Sequence, residues 1–181
     1  MSAIPAGGTG RDALAAQIGE RIMRAADGSR DDPALDRLLT ALASWQARRV
    51  EPYGRVFPRA ALPTDVFRYL RVAGHPPELD VRVFRTSGTT GGRRGEHPFC
   101  DLSLYDLAAR TAARHALFPD VERMRLIVMA PRPDDAPDSS LSYMLGRFED
   151  WFGTRTDWLF PVDDRLGGLL RSAREPIGLL G

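Results

Sequence analysis

The stretch V-R-V-F-R-T-S-G-T-T-G-G-R-R-G-E, residues 81–96, sets the reading of the whole chain. Val81, Val83 and the preceding Leu79 alternate with other residues, which predicts a strand. The strand runs into Thr86, Ser87, Gly88, Thr89, Thr90, Gly91 and Gly92, and then into Arg93, Arg94 and Gly95. Glycines let backbone amides approach an anion closely, and hydroxyls supply further donors. Guanidinium groups bring charge and forked donors to phosphate oxygens. Strand, hydroxyl–glycine loop and cation together describe a cradle for nucleotide phosphates, although a Ser/Thr/Gly loop after a strand also reads as a turn alone. The spacing is neither the Gly-x4-Gly-Lys-Ser/Thr loop nor the Gly-x-Gly-x-x-Gly dinucleotide fingerprint.

Position by position, the stretch resembles the T-S-G-T-T-G-x-x-[K/R]-G phosphate loop of the adenylate-forming superfamily, which includes acyl-CoA synthetases, luciferases and peptide-synthetase adenylation domains. Arg94 stands where that superfamily usually has lysine, and Arg93 replaces the proline common before it. Two further segments occur in order with it, P-T-D-V-F-R at 63–68 and A-P-D-S-S-L-S-Y-M-L-G-R-F at 136–148. With them the chain is similar, from about residue 50 to its end, to the acyl-protein synthetase family of LuxE-type long-chain-fatty-acid–protein ligases.

The resemblance implies a chemistry. ATP, with Mg2+ on its phosphates, reacts with a carboxylic (fatty) acid to give an acyl-adenylate and pyrophosphate, and the acyl group then moves to the thiol of an acceptor protein. By the same resemblance, Thr86, Ser87, Gly88, Thr89, Thr90 and Gly91 would wrap the phosphates and Arg94 would neutralise them. Ser142, Tyr143 and Met144 would line the acyl or adenylate pocket. His97, just past the arginine pair, reads either as part of that site or as a loop residue. Cys100 sits where a helix begins and is not the expected acyl acceptor. In the resembled family about as much sequence again follows, carrying the adenine motif, a lysine-bearing mobile domain and the acceptor cysteine. The chain is therefore expected to be an amino-terminal portion. The alternative is a catalytically inactive remnant that binds a nucleotide or a partner protein.

Composition bounds these readings. The chain has 181 residues, 43% of them apolar, and a formal net charge of +1. That balance gives no nucleic-acid footprint. All 25 basic residues are arginine, so no lysine-dependent step belongs to this chain by itself. The one cysteine excludes an internal disulfide, and no Cys/His spacing suits zinc. Without a signal core or an apolar run of about 20 residues, a cytoplasmic protein with no membrane span is the expectation.

The remaining pattern predicts the architecture. Leu14, Ile18 and Ile22 give an amphipathic helix over 12–26, stopped near Gly28. Asp32 and Pro33 open a second helix with Leu35, Leu38, Leu39, Leu42 and Trp45 on its apolar face. Prolines then break the pattern from 50 to 77, leaving only a helical turn near Thr64 to Leu70. His75 reads as a loop residue. Asp101 caps a helix running to Ala116. The apolar run L-I-V-M-A at 126–130 is a buried strand. Ser139 or Ser140 caps the next helix, ended by Gly153. A strand near Thr156–Phe160, a helix near Asp164–Arg174 and a closing I-G-L-L strand follow. The expected fold is α/β: a helical arm over 1–50, then βαβαβ units with a mostly parallel sheet over 51–181, an incomplete part of the adenylate-forming enzyme fold.

Overall fold

A computed structural model describes residues 8–26, 28, 32–56, 61–87 and 92–181 of the chain. They fall into two compact units divided between Thr111 and Ala112.

The first unit opens with α1 (Gly8–Ala26) and α2 (Asp32–Arg49). Gly28 lies at φ 76° and its N–H donates to Ala25 O at 3.1 Å. This is the left-handed residue that stops a helix and that glycine adopts without penalty. Leu14 on α1 is buried. A further helix, α3 (Glu51–Val56), lies where the prolines predicted irregular chain. Pro52 is compatible with it because the first turn of a helix needs no N–H donor from that position. Glu51 and Arg55 pair one turn apart on its surface. Two 3-10 turns follow, Thr64–Arg68 and Pro77–Leu79.

The chain then makes an antiparallel hairpin of β1 (Arg82–Arg85) and β2 (Glu96–Phe99). The sequence predicted the first strand but not the second, because E-H-P-F carries no alternation. The register pairs Arg82 with Phe99, Val83 with Pro98, Phe84 with His97 and Arg85 with Glu96. The alternation of Leu79, Val81 and Val83 marks the wrong face. Leu79 falls in a 3-10 turn, and it and Val81 are exposed, whereas Phe84 is buried at 3% exposure. Aromatic packing decides the matter. The Phe84 ring lies 5.4 Å from Phe99 and 5.7 Å from Tyr105, and Phe99 and Tyr105 meet edge-on at 6.0 Å. Such clusters add to area burial. Tyr105 belongs to α4 (Ser103–Ala116), whose first free N–H is met by Asp101 Oδ1 at 2.6 Å from Ser103 N.

The second unit carries a parallel sheet. Its order is β4–β3–β5, with β3 (Met124–Val128) in the centre, β4 (Gly153–Trp158) on one side and β5 (Ile177–Leu180) on the other. Helix α5 (Ser140–Phe152) joins β3 to β4, and α6 (Arg165–Arg171) joins β4 to β5. The α/β expectation is met as a mixture of helix and strand with a small parallel sheet. Leu126, Ile127 and Val128 are wholly buried, so both faces of β3 are covered. Phe118, Phe148 and Phe152 pack as one cluster, with Phe118 stacked on Phe152 at 4.5 Å. Ser139 caps α5 by accepting the Ser142 N–H at 3.1 Å, and Gly153 ends it, both as predicted.

Candidate functional site

The hairpin holds a loop between its strands, and the loop is tied at its neck. The Thr86 N–H donates to Gly95 O at 3.0 Å, and the Gly95 N–H donates to Thr86 Oγ1 at 2.9 Å. Just below, Arg85 reaches Glu96 Oε1 through Nε and Nη2, each at 3.0 Å. Arg94 folds back on the neck. Its Nε donates to Thr86 O at 2.6 Å and its Nη2 to Arg85 O at 3.3 Å. Gly95 is buried, and a Cβ there would stand 3.2 Å from Thr86 Cγ2 and 3.5 Å from Phe67 Cβ. A side chain at this position would crowd Thr86 where the two strands meet under the loop.

The candidate residues fall as follows. Thr86 and Ser87 are exposed at the rising side of the loop. Gly88, Thr89, Thr90 and Gly91 lie outside the described residues. On the returning side Arg93 is exposed and makes no hydrogen bond or ion pair among the described residues, while Arg94 is half-buried. His97 is on β2, not in the loop. Its ring lies 4.5 Å from the Phe67 ring, and burial pushes its imidazole below the ordinary histidine value. Phe67 comes from the P-T-D-V-F-R segment, so that segment packs against β2 beside the loop.

Ser142, Tyr143 and Met144 lie on the first turns of α5, in the other compact unit. Ser142 is 1% exposed, and its Oγ has no hydrogen-bond partner among the described residues. Tyr143 and Met144 are half-buried. Cys100 is half-buried beside the hairpin end.

Two polar networks carry no sequence signal. Asp80 accepts from Arg71 Nη1 and Nη2 at 2.8 and 2.7 Å, and its Oδ1 lies 2.7 Å from His75 Nε2. The Arg71 bond, with help from His75, holds the Asp80 carboxyl below the usual carboxylate range although burial opposes it. Arg71 also donates to His75 O at 3.1 Å, so the triad braces the segment that enters β1. In the second unit Arg125 Nε and Nη2 meet Asp157 Oδ2 at 3.0 and 2.7 Å across β3 and β4. These partners are 9 and 32 residues apart, beyond any local pattern.

Among the described residues, no cluster of three or more His, Cys, Asp or Glu is placed to hold a metal ion. No helix among them is long and apolar enough to cross a membrane. No protein-family model matches the chain, and no curated protein and no solved structure shows significant similarity to it.

Proposed function

We propose that this chain carries the ATP-phosphate loop of an acyl-adenylate-forming enzyme of acyl-protein synthetase type. The observation that carries the reading is the tied neck: a hydroxyl- and glycine-rich loop hung between antiparallel strands, closed by Thr86 and Gly95 and braced by Arg94. A loop fixed at its base can hold amides and hydroxyls ready for an anion, and fixed donors need no reorganisation when charge develops on phosphoryl oxygens. Thr86 accepts through its hydroxyl oxygen, which leaves its O–H to donate. Two N–H groups of Arg94 are committed to the neck, which pins a cation at the foot of the loop. Mg2+ would come with the nucleotide and hold its phosphate oxygens. The carboxylic acid, expected to be a fatty acid, would attack the α-phosphate. The acyl group would then pass to a protein thiol, with Ser142, Tyr143 and Met144 lining the acid pocket and His97 beside the loop.

The test is calorimetric titration of Mg-ATP into the chain and into two variants. A charge-assisted contact to phosphate is worth roughly 1.5–3 kcal/mol, or about 10- to 150-fold in affinity. Arg94→Ala is expected to lose that much and Arg93→Ala much less, with unchanged circular dichroism. A folded chain that takes up no ATP, or two equal small losses, would leave the loop as a structural turn.

A further inference from the structure

A cavity of about 190 Å³ lies among α1, α2 and the start of α4, wholly within the first unit. Leu14 and Ile18 of α1, Leu42 and Trp45 of α2 and Leu104 of α4 form its apolar wall. It shares no residue with the loop or with α5. The sequence accounts for the open space. At Gly19 α1 comes close to α4, where a Cβ would stand 3.4 Å from Leu107 Cδ2 and 3.7 Å from Leu104 Cδ2. One turn earlier the same face of α1 carries only the methyl group of Ala15. The Trp45 ring is held by other contacts. Its Cη2 and Cζ3 lie 2.8 and 3.1 Å from where a Cβ on Gly74 would stand, and the Arg49 guanidinium carbon is 5.5 Å from its centre.

The rim carries one charge of each sign. Arg11 is exposed, and Asp101 Oδ1 accepts the Ser103 N–H at 2.6 Å. That bond, with the Ser103 hydroxyl and the charge of Arg11, holds the Asp101 carboxyl below the usual carboxylate range although burial opposes it. The group is therefore ionised at neutral pH. A carboxylate offers about four acceptor sites, so the helix cap leaves Asp101 able to accept again. An acid entering here meets Asp101 and an amine meets Arg11, and like charges repel. A neutral hydroxyl suits both, donating to the carboxylate and accepting from the guanidinium.

We infer that this cavity binds a small neutral phenol, its ring against Trp45 and the leucines and its hydroxyl between Asp101 and Arg11. Size sets the ring. An engineered apolar cavity of about 150 Å³ takes up one benzene, so about 190 Å³ holds one ring with a short substituent and has no room for a nucleotide. A flat ring also gains contact with the indole in an offset or edge-on arrangement. The hydroxyl sets the orientation, because hydrogen bonds to ionised groups are the stronger ones.

The experiment is a nuclear magnetic resonance titration of the isotope-labelled 181-residue chain, without nucleotide, with p-cresol, toluene and p-toluate. The reporter is the Trp45 indole N–H signal, identified by its loss in Trp45→Phe. p-Cresol is expected to shift it saturably. Toluene, which lacks the hydroxyl, and p-toluate, which carries a charge in its place, should bind at least about tenfold more weakly, the worth of one hydrogen bond to a charged group. Asp101→Asn keeps an N-cap side chain and removes the charge, so it should weaken p-cresol and narrow the gap to p-toluate. Ala15→Phe should fill the cavity and abolish binding, with far-ultraviolet circular dichroism unchanged for both. p-Cresol binding that both variants leave intact would overturn the assignment. So would toluene or p-toluate binding as tightly as p-cresol, or no saturable shift of the Trp45 signal in the folded chain at millimolar p-cresol.

Discussion

Thr86 and Gly95 face each other across the mouth of the hairpin and exchange two hydrogen bonds, one through the backbone at 3.0 Å and one through the threonine hydroxyl at 2.9 Å. The pair converts a flexible-looking run of small residues into a loop with a fixed base. Thr86→Val keeps the shape and removes the acceptor. It leaves the N–H of buried Gly95 unpaired, which costs about 1–3 kcal/mol. Urea unfolding should show a loss of that size. Thr86→Ser, which restores the oxygen, should recover most of it. If valine is as stable as threonine, the hydroxyl does not hold the neck.

The loop was legible because its chemistry lies in consecutive residues. Helix ends were legible for the same reason: Gly28, Ser139 and Gly153 act on their immediate neighbours. What could not be read depends on distant partners. The alternation of Leu79, Val81 and Val83 is real, yet Phe84 is the buried residue because Phe99 and Tyr105 come from later in the chain to meet it. Helix α3 was missed because Pro52 reads as a breaker, although proline in a first turn is harmless. For the site, the loop and its arginines were named as candidates from their spacing. That Arg94 would turn back onto the carbonyls of Arg85 and Thr86 was not, since no sequence pattern encodes which way a long side chain folds.

The Asp80 triad predicts an acid-sensitive element. The folded carboxyl titrates below its unfolded value of about 3.9. A depressed carboxylate contributes stability that is fully present above the unfolded value and is lost as the pH falls through the folded one. Asp80→Asn should therefore be less stable than the parent at pH 6. The difference should shrink as the pH is lowered below about 4. Urea midpoints measured at several pH values decide it. A gap that stays constant to acid pH would mean that Asp80 acts by packing and not by charge.

Arg125 and Asp157 form a largely buried ion pair, with side-chain exposures of 9% and 22%. Burial raises the Asp157 carboxyl, but the Arg125 bond and charge, with Arg155, outweigh it and leave the group ionised at neutral pH. Removing one partner strands the other charge. Asp157→Ala should cost about 3–5 kcal/mol. The double change Arg125→Met with Asp157→Leu should come out near neutral, because it removes the desolvated charges together. A double variant as unstable as the single one would show that the pair is needed for strand register and not merely balanced against its own burial.

Ser142 separates packing from function on α5. Its backbone N–H is satisfied by Ser139, but its hydroxyl is buried with no partner among the described residues. Leu145 and Phe148 on the same helix are buried at 3% exposure, so apolar packing already explains the face. A lone buried hydroxyl costs about 1–3 kcal/mol, and Ser142→Ala removes it with almost no change of volume. The variant should be as stable as the parent or more so, with a melting temperature raised by about 2–4 °C per kcal/mol gained. If the hydroxyl is kept for the carboxylic acid or its adenylate, the same variant should bind that ligand more weakly while melting higher. Calorimetry and thermal unfolding on one preparation read both quantities. A variant that melts higher and binds unchanged would remove Ser142 from the site, whereas one that melts lower would reveal a hydrogen bond that the folded chain forms in solution.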